Sequence, residues 1–335
     1  MTSARNGRGS GRAAWFVVLA ALVSIGFPAV GREFWVAELS AHFVVPYAVA
    51  SLALAAWFTR ANRPVLAACA LAICAVQVAR VVPLWAQPDV QAGVGAPERL
   101  TIAQINVYYR NTEPSRVVDW VLARDPDVAV LVEVTPAWSA PMARLRARYP
   151  HSLVRIPPDG SGVAVFARSA DPSLRVEPLG DAWCPAIVLD VPQPTGPPVL
   201  ALFATHLRSP ITPRDAWARN RQLTALGRRV ADEPALNKVV VGDLNVTRWS
   251  PWFADLIRVA GVRDGQEGFG LGGSWPSRFG RWWGIPIDHT LVSPGVRVVQ
   301  RVVGPDLGSD HLPVTTTIEF SPGAGVGVDD RDFSA

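Results

Sequence analysis

Cysteine is scarce. The 335-residue chain has three, and two of them, Cys69 and Cys74, fall inside one apolar run, which leaves Cys184 alone elsewhere. One thiol makes no intradomain disulfide, so the polar part of the chain must rely on a hydrophobic core. There is no Cys cluster, no HExxH and no closely spaced His pair, a poor basis for a zinc centre. There is no GxSxG either, which excludes a serine hydrolase of the nucleophile-elbow type. Charge is thin as well: charged residues make up 18% of the chain and the net charge is +4. That balance neither demands nor excludes nucleic acid. No internal repeat is visible.

What is abundant is apolar surface, at 49% of residues, and it is concentrated ahead of Ala86. Ala13 to Gly31 carries no charge and lies between Arg12 and Arg32. Ser40 to Thr59 contains only His42 as a titratable group, and Pro64 to Ala86 only Arg80 as a charge. A bilayer core of ~30 Å takes about 20 helical residues, so three transmembrane helices are expected. A cleaved signal peptide is the alternative for the first run. Arg5, Arg8 and Arg12 precede that run, and Arg60 and Arg63 separate the second from the third; the first connection has Arg32 beside Glu33 and Glu38. The Arg-rich side is cytoplasmic, so three crossings would place the remainder outside the cytoplasm, as a multi-pass cell-membrane protein. The expected division is a membrane region 1–86, a Gly/Pro-rich linker 87–99, a domain 100–320 and a disordered tail 321–335.

Within 100–320 the strand-like runs are many, among them "LTIAQINV", "DVAVLVEV", "VLALFATH", "KVVVGDLNV" and "HLPVTTTIEF". Helical patterns intervene at "EPSRVVDWVLARDPD" and "PRDAWARNRQLTALGRRVADEP". Many strands with few long helices, not strictly alternating, indicate a layered mixed α/β fold.

Four of these runs end in polar residues: Asn106, Glu133, His206, and Asp243 with Asn245. Two begin with them: Asp288 with His289, and Asp310 with His311. Strands that end at one rim of a sheet and strands that start there run in opposite directions, so all six motifs can share that rim. Asp243 and Asn245, two residues apart on an extended chain, point the same way. Carboxylate and carboxamide oxygens suit a hard cation such as Mg²⁺, and imidazoles suit proton transfer or oxyanion binding. The set fits metal-assisted attack of water on a phosphate ester. Each motif alone has a plainer reading as a strand end or turn, and His289 reads as structural.

The motifs "QIN", "VEV", "THL", "GDLN", "IDHTLVS" and "SDHLPV", in that order, resemble the endonuclease/exonuclease/phosphatase family, the deoxyribonuclease I-like and exonuclease III-like superfamily. The resemblance spans about Leu100 to Phe320 and implies a four-layer α/β/β/α sandwich with divalent-metal phosphoesterase activity, using Mg²⁺ or Mn²⁺. It implies that Asn106 and Glu133 form the metal end, with Asp310 assisting, and that His206 binds the phosphate in the transition state. Asp243 would position or deprotonate the water, with Asn245 as its phosphate-contacting neighbour; Asp288, Asp310 and His311 would complete the catalytic set. After Glu133 stands "VTPAW", unlike many nuclease members, and no active-site Tyr is matched. The substrate is expected to be a phosphate ester, nucleic acid or lipid headgroup, with a membrane but no obligate protein as partner. A non-catalytic module would be expected to lack one of the six motifs, and none is missing. A function carried by the helices would want paired polar groups inside the spans, where only His42 and Arg80 stand, near ends.

One loop stands out ahead of Asp288. "GGSWPSRFGRWWGIPIDH" holds Trp275, Phe279, Trp282 and Trp283 with Arg278 and Arg281. A loop without a core of its own cannot bury that many rings, so one or two should pack and the rest should be exposed.

Overall fold

The computed structural model describes residues 6–88, 97–157, 162–168, 172–179 and 181–321. The expected tail, apart from Ser321, and most of the expected linker lie outside the described residues. Two compact units emerge. One comprises the chain through Gln87 together with Val246–Ala254, and the other comprises Pro88–Asn245 and Asp255 onward. The sequence reading assigns 246–254 to the strand-rich domain, whereas here they belong to the helical unit.

In the helical unit, Trp35–Arg60 and Pro64–Trp85 are long and apolar enough to cross a membrane. The first expected span yields only a shorter apolar helix, Ala14–Ala29. There the chain passes from an α-helix into a π turn at Leu22–Gly26 and stops after Phe27–Ala29, which contains Pro28. Helical structure is continuous from Asn6 to Ala29, but its apolar part is shorter than the two long helices, so among the described residues two of the three expected spans stand as candidates. Ala55 and Phe58 of one long helix meet Ala67, Ala70 and Ile73 of the other, with Val17 beside them. Small side chains at such a seam let helix backbones approach closely.

The second unit contains twelve strands among the described residues: β1 (Glu98–Asn106), β2 (Val128–Val134), β3 (His151–Arg155), β4 (Gly162–Ala167), β5 (Ser173–Leu179), β6 (Asp181–Val191), β7 (Leu200–His206), β8 (Asn237–Asp243), β9 (Arg263–Asp264), β10 (Asp288–Val292), β11 (Val296–Val303) and β12 (Val314–Phe320). They form two six-stranded sheets, ordered β11-β12-β1-β2-β4-β3 and β5-β6-β7-β8-β10-β9. Among the described residues only β1/β2 and β7/β8 pair in parallel. Each of these pairs is joined by a helix, Pro114–Arg124 or Pro213–Ala231, as a parallel crossover requires. Pro114 stands at the first turn of one, where its missing N–H costs nothing. Thr212 caps the other by accepting the Asp215 amide.

Strand parity sets the layers. Val128, Val130 and Val132 of β2 face a core shared with Leu202, Ala204, Val239 and Val241 of the opposite sheet. Ala129 and Leu131, on the other face, pack under Val117, Val121, Met142 and Leu145 of the helices Pro114–Arg124 and Ser139–Arg148. On the far sheet, Phe203 faces outward and carries the Arg229 guanidinium of the helix Pro213–Ala231 at 5.5 Å. The layers run helix, sheet, sheet, helix, as expected. Strands covered on both faces need no polar alternation, which is why they read as continuous apolar runs.

Candidate active site

Along the inner faces, the apolar rows turn polar at one end. Leu100 and Ile102 lie in the shared core, and Gln104 and Asn106 continue their row. Leu202 and Ala204 lead to His206, Val239 and Val241 to Asp243, and Val292 through Thr290 to Asp288. The period of two that builds the core therefore delivers five polar side chains, Gln104, Asn106, His206, Asp243 and Asp288, to one gap between the sheets.

Glu133 breaks that parity. By alternation it would point with Ala129 and Leu131 toward the outer helices. The β2/β4 register skips it, passing from Val132↔Val163 to Val134↔Gly162, and Glu133 adopts φ 63. A one-residue bulge with a left-handed backbone re-aims a side chain. Glu133 is thus turned toward Asn106, whose amide Nδ2 donates to Glu133 Oε1 at 2.9 Å and Asp243 Oδ2 at 3.0 Å. The amides of Tyr108 and Tyr109 close the cluster, donating to Asn106 Oδ1 and Glu133 Oε2.

His311 enters from the segment before β12. Its Nδ1 lies 2.8 Å from Asp288 Oδ2, and its Nε2 lies 3.6 Å from Asp243 Oδ2. Asp288 also accepts Gln104 Nε2 at 3.0 Å, a bond from one sheet to the other. His206 Nε2 stands 3.7 Å from Glu133 and 3.8 Å from Asp243. Asn245 takes φ 51, a left-handed conformation that Asn tolerates well. Its amide donates to Asp243 Oδ1, its side chain to the Leu207 carbonyl, and its Nδ2 lies 3.4 Å from His206 Nε2.

Asp310 stands apart. Its carboxylate accepts Trp275 Nε1 at 3.2 Å, and it joins neither His/acid group able to hold a metal: Glu133–His206–Asp243 and Asp243–Asp288–His311. Its Oδ1 is buried with no hydrogen-bond partner. His289 is buried within β10, in keeping with a structural part. Three contributors escape sequence reasoning. Gln104 shares a face with Asn106 and was open to the same two-residue argument. Ser309, whose hydroxyl donates to the Asn106 carbonyl and accepts the His311 amide, gives no such signal. Nor does Arg219, fully buried and donating to the Asn245 carbonyl at 2.6 Å.

Burial and the neighbouring Asp288 carboxylate push Asp243 up to about 6, against the pull of His311. For His311 burial works the other way, but Asp288 and Asp243 outweigh it and raise the imidazole to about 10. Burial would raise Asp288 too; the charge of His311 and its hydrogen bond outweigh that and hold it below 3.8. Burial raises Asp310 above its ordinary value. His311 and Asp243 both keep protons in the folded chain that the unfolded chain gives up. The Asp243 contribution is complete only below 3.8 and is lost as pH rises to about 6, and that of His311 is complete below 6.5 and is lost as pH rises to about 10. Asp288 acts in the opposite sense, but only in acid below 3.8. Thermal unfolding in chelator should therefore show a midpoint that falls from pH 7 to pH 10, by at most about 1.4 kcal/mol per pH unit per proton. His311→Asn should flatten that fall; an equally steep profile in the variant would mean that His311 is not the group responsible.

A sequence model of the endonuclease/exonuclease/phosphatase family matches residues 103–311. The chain belongs to that family. No curated protein matches it. Solved structures of the fold do. An endonuclease/exonuclease/phosphatase from Beutenbergia cavernae is 21% identical, over 67% of this chain and 72% of that one, with a TM-score of 0.52. Truncated Caenorhabditis elegans TDP2 is 19% identical over 66% of this chain and 97% of its own, TM-score 0.53. D. rerio TDP2, complexed with a single-strand DNA product, is 20% identical over 66% and 99%, TM-score 0.51. At these identities the likeness shows the endonuclease/exonuclease/phosphatase fold, and the matched residues, 103–311, take in every member of the polar rim.

Proposed function

We propose that this family member is a membrane-anchored phosphoesterase that hydrolyses its substrate with an activated water. The observation that carries the reading is the polar gap itself: Asp243 buried beside Asn106, His206 and a His311 oriented by Asp288. Asp243, raised to about 6, ionises near neutrality yet stays basic enough to take a proton from water. His311, raised to about 10, is an imidazolium at the same pH and suits the charge that develops on a phosphate. His206 and Asn245, adjacent to each other, are placed to contact phosphate oxygens.

The donor set fits a hard divalent cation. Glu133 and Asp243 oxygens lie together with His206, Glu133 is partly open to water, and Asp310 has an oxygen to spare. Glu133, bonded to Asn106, would hold Mg²⁺, or Mn²⁺ in its place, with Asp310 as an outlying contributor, supplying positive charge to the phosphate. The test is hydrolysis by the full chain in detergent, with Mg²⁺ or Mn²⁺, of DNA, RNA, phospholipids and bis-p-nitrophenyl phosphate. Activity on at least one is expected, abolished by EDTA and made less sensitive to added metal by Glu133→Gln. Activity that persists in EDTA overturns the metal assignment.

Anchoring rests on the two apolar helices. Two crossings return the chain to its starting side, so the extracytoplasmic placement derived from three loses its basis. Substrate choice is read from the loop ahead of Asp288. Trp275 is tied to Asp310, whereas Phe279, Trp282 and Trp283 are exposed, at 52%, 59% and 53%. Arg278 lies over Phe279, and Arg281 over Trp282. Ser277 and Leu312 amide bonds tie this loop to the segment bearing Asp310 and His311. Exposed rings beside a phosphate site suit stacking on bases, worth about 1–3 kcal/mol each, or a headgroup interface; the apolar helices favour the second. Trp282→Ala with Trp283→Ala should raise KM for the true substrate roughly tenfold or more while bis-p-nitrophenyl phosphate is cleaved as before. Equal losses on both substrates would make the rings structural.

A further inference from the structure

Apolar side chains exposed on the strand-rich unit are unevenly placed. Among its described residues the large ones are Tyr109, Ile211, Trp217, Phe279, Trp282 and Trp283, with Val176 and Val259 elsewhere. The six lie on three segments, and each segment joins the polar end of a strand that supplies the gap. Tyr109 comes three residues after Asn106 of β1, and its amide donates to Glu133 Oε2 at 3.1 Å. Ile211 and Trp217 follow His206 of β7, one before the helix Pro213–Ala231 and the other in its second turn. Phe279, Trp282 and Trp283 precede Asp288 of β10. Single exposed apolar residues are ordinary, but a gathering at one rim marks a contact surface.

The same segments are basic. Residues 107–112, 207–217 and 272–287 contain Arg110, Arg208, Arg214, Arg278 and Arg281. Their only acid is Asp215, which Arg208 pairs at 3.0 Å. Most of the rings already carry a guanidinium: Arg110 lies over Tyr109 at 5.0 Å, Arg221 over Trp217 at 4.6 Å, Arg278 over Phe279 at 4.9 Å and Arg281 over Trp282 at 5.1 Å. A nucleic-acid base needs an open ring face to stack on, and here a cation competes for it. Ile211, 76% exposed, has no ring to offer a base. A bilayer interface favours all of these groups together. Amphipathic rings and aliphatic side chains settle at the headgroup layer, and Arg side chains reach the lipid phosphates. Unbalanced positive charge favours anionic lipid.

We propose that the rim of the polar gap is a docking surface for an anionic phospholipid layer, formed by all three segments and not by the aromatic loop alone. Its consequence for substrate rests on the hydrolase reading above: the ester brought to Asp243 is a phospholipid headgroup. The test uses the full chain in dodecyl maltoside micelles, plain or mixed with phosphatidylglycerol or with phosphatidylcholine. Hydrogen exchange should slow in 108–112, 208–217 and 275–283 with phosphatidylglycerol, and much less with phosphatidylcholine, while β2 and β8 stay unchanged. Ile211→Ser with Trp217→Ala should raise KM for phospholipid hydrolysis in the mixed micelles roughly tenfold or more, with bis-p-nitrophenyl phosphate cleaved as by wild type. Slowing by single-stranded oligothymidylate and not by phosphatidylglycerol would make the rim a nucleic-acid surface and overturn the proposal. Slowing confined to 275–283, equal slowing by both lipids, or none at all would overturn it too. Equal losses on lipid and diester would mean that Ile211 and Trp217 serve the fold, and cleavage of the diester without any phospholipid would remove the lipid substrate. A wild type slowed in all three segments yet silent on every ester overturns the hydrolase reading and leaves the docking surface standing.

Discussion

Asp243→Asn should lower turnover by about 10²–10⁴, the usual worth of a positioned base, and leave the fold intact. The replacement is nearly isosteric. Its amide can still accept the Asn245 N–H that Asp243 Oδ1 accepts, and it removes a carboxylate that burial disfavours in the first place. Stability should therefore hold or rise, and the loss should appear in kcat. His311→Ala should lose activity on the same order, but with a different stability signature. It leaves the buried Asp288 carboxylate with the Gln104 bond but without its imidazole partner, and an under-compensated buried charge destabilises. Circular dichroism and thermal unfolding beside kinetics would separate the two. A wild-type rate in either variant would remove that residue from the mechanism.

Gly242→Ala should do the opposite: it should spoil the fold before it touches the chemistry. Gly242 has φ 151, and a Cβ there would lie 1.7 Å from the Thr205 carbonyl oxygen of the parallel neighbour β7. That oxygen belongs to strand backbone in the middle of a sheet and cannot step aside. A loss of more than about 4 kcal/mol is expected, at the exceptional end for one substitution, seen as insoluble protein or a collapsed unfolding midpoint. A soluble variant with an unfolding midpoint near wild type would mean that β7 and β8 are farther apart than described. The Gly of "GDLN" is thus explained by strand spacing, and the residues after it by chemistry.

How far the sequence exposes this site depends on which physical rule places each residue. Asn106, His206, Asp243 and Asp288 follow from strand parity, and parity is written in the alternation of their neighbours. The orientation of His311 by an Asp from a different motif follows too, since adjacent side chains on a strand point apart. Glu133 was legible only as a polar strand end; parity aims it at the wrong face, and the bulge that corrects it leaves no mark in composition. Arg219 reads as surface because Arg usually is, and only the buried carbonyl that it serves explains it. Asp310 shares a motif with His311 and was expected to assist the metal, yet its carboxylate bonds to Trp275. The first apolar run does form helix, up to Ala29, but its apolar part is shorter than the other two, which alone stand as candidate spans among the described residues. The aromatic loop divides as ring size and loop length dictate, with Trp275 half-buried and bonded to Asp310 and three rings exposed.

The helical unit borrows Val246–Ala254 from far along the chain, and that has a consequence for biosynthesis. Ribosomes deliver Glu38 and His42 first, and Thr247 and Ser250 only after β1 through β8 have been made. In the interval a carboxylate and an imidazole wait among apolar helices without the hydroxyls that later meet them. Burying either group without a hydrogen-bonding partner is costly. The helices bearing Glu38 and His42 therefore reach their final form only after residues some two hundred positions later have been made, and a chain terminated before Val246 would leave that unit unfinished.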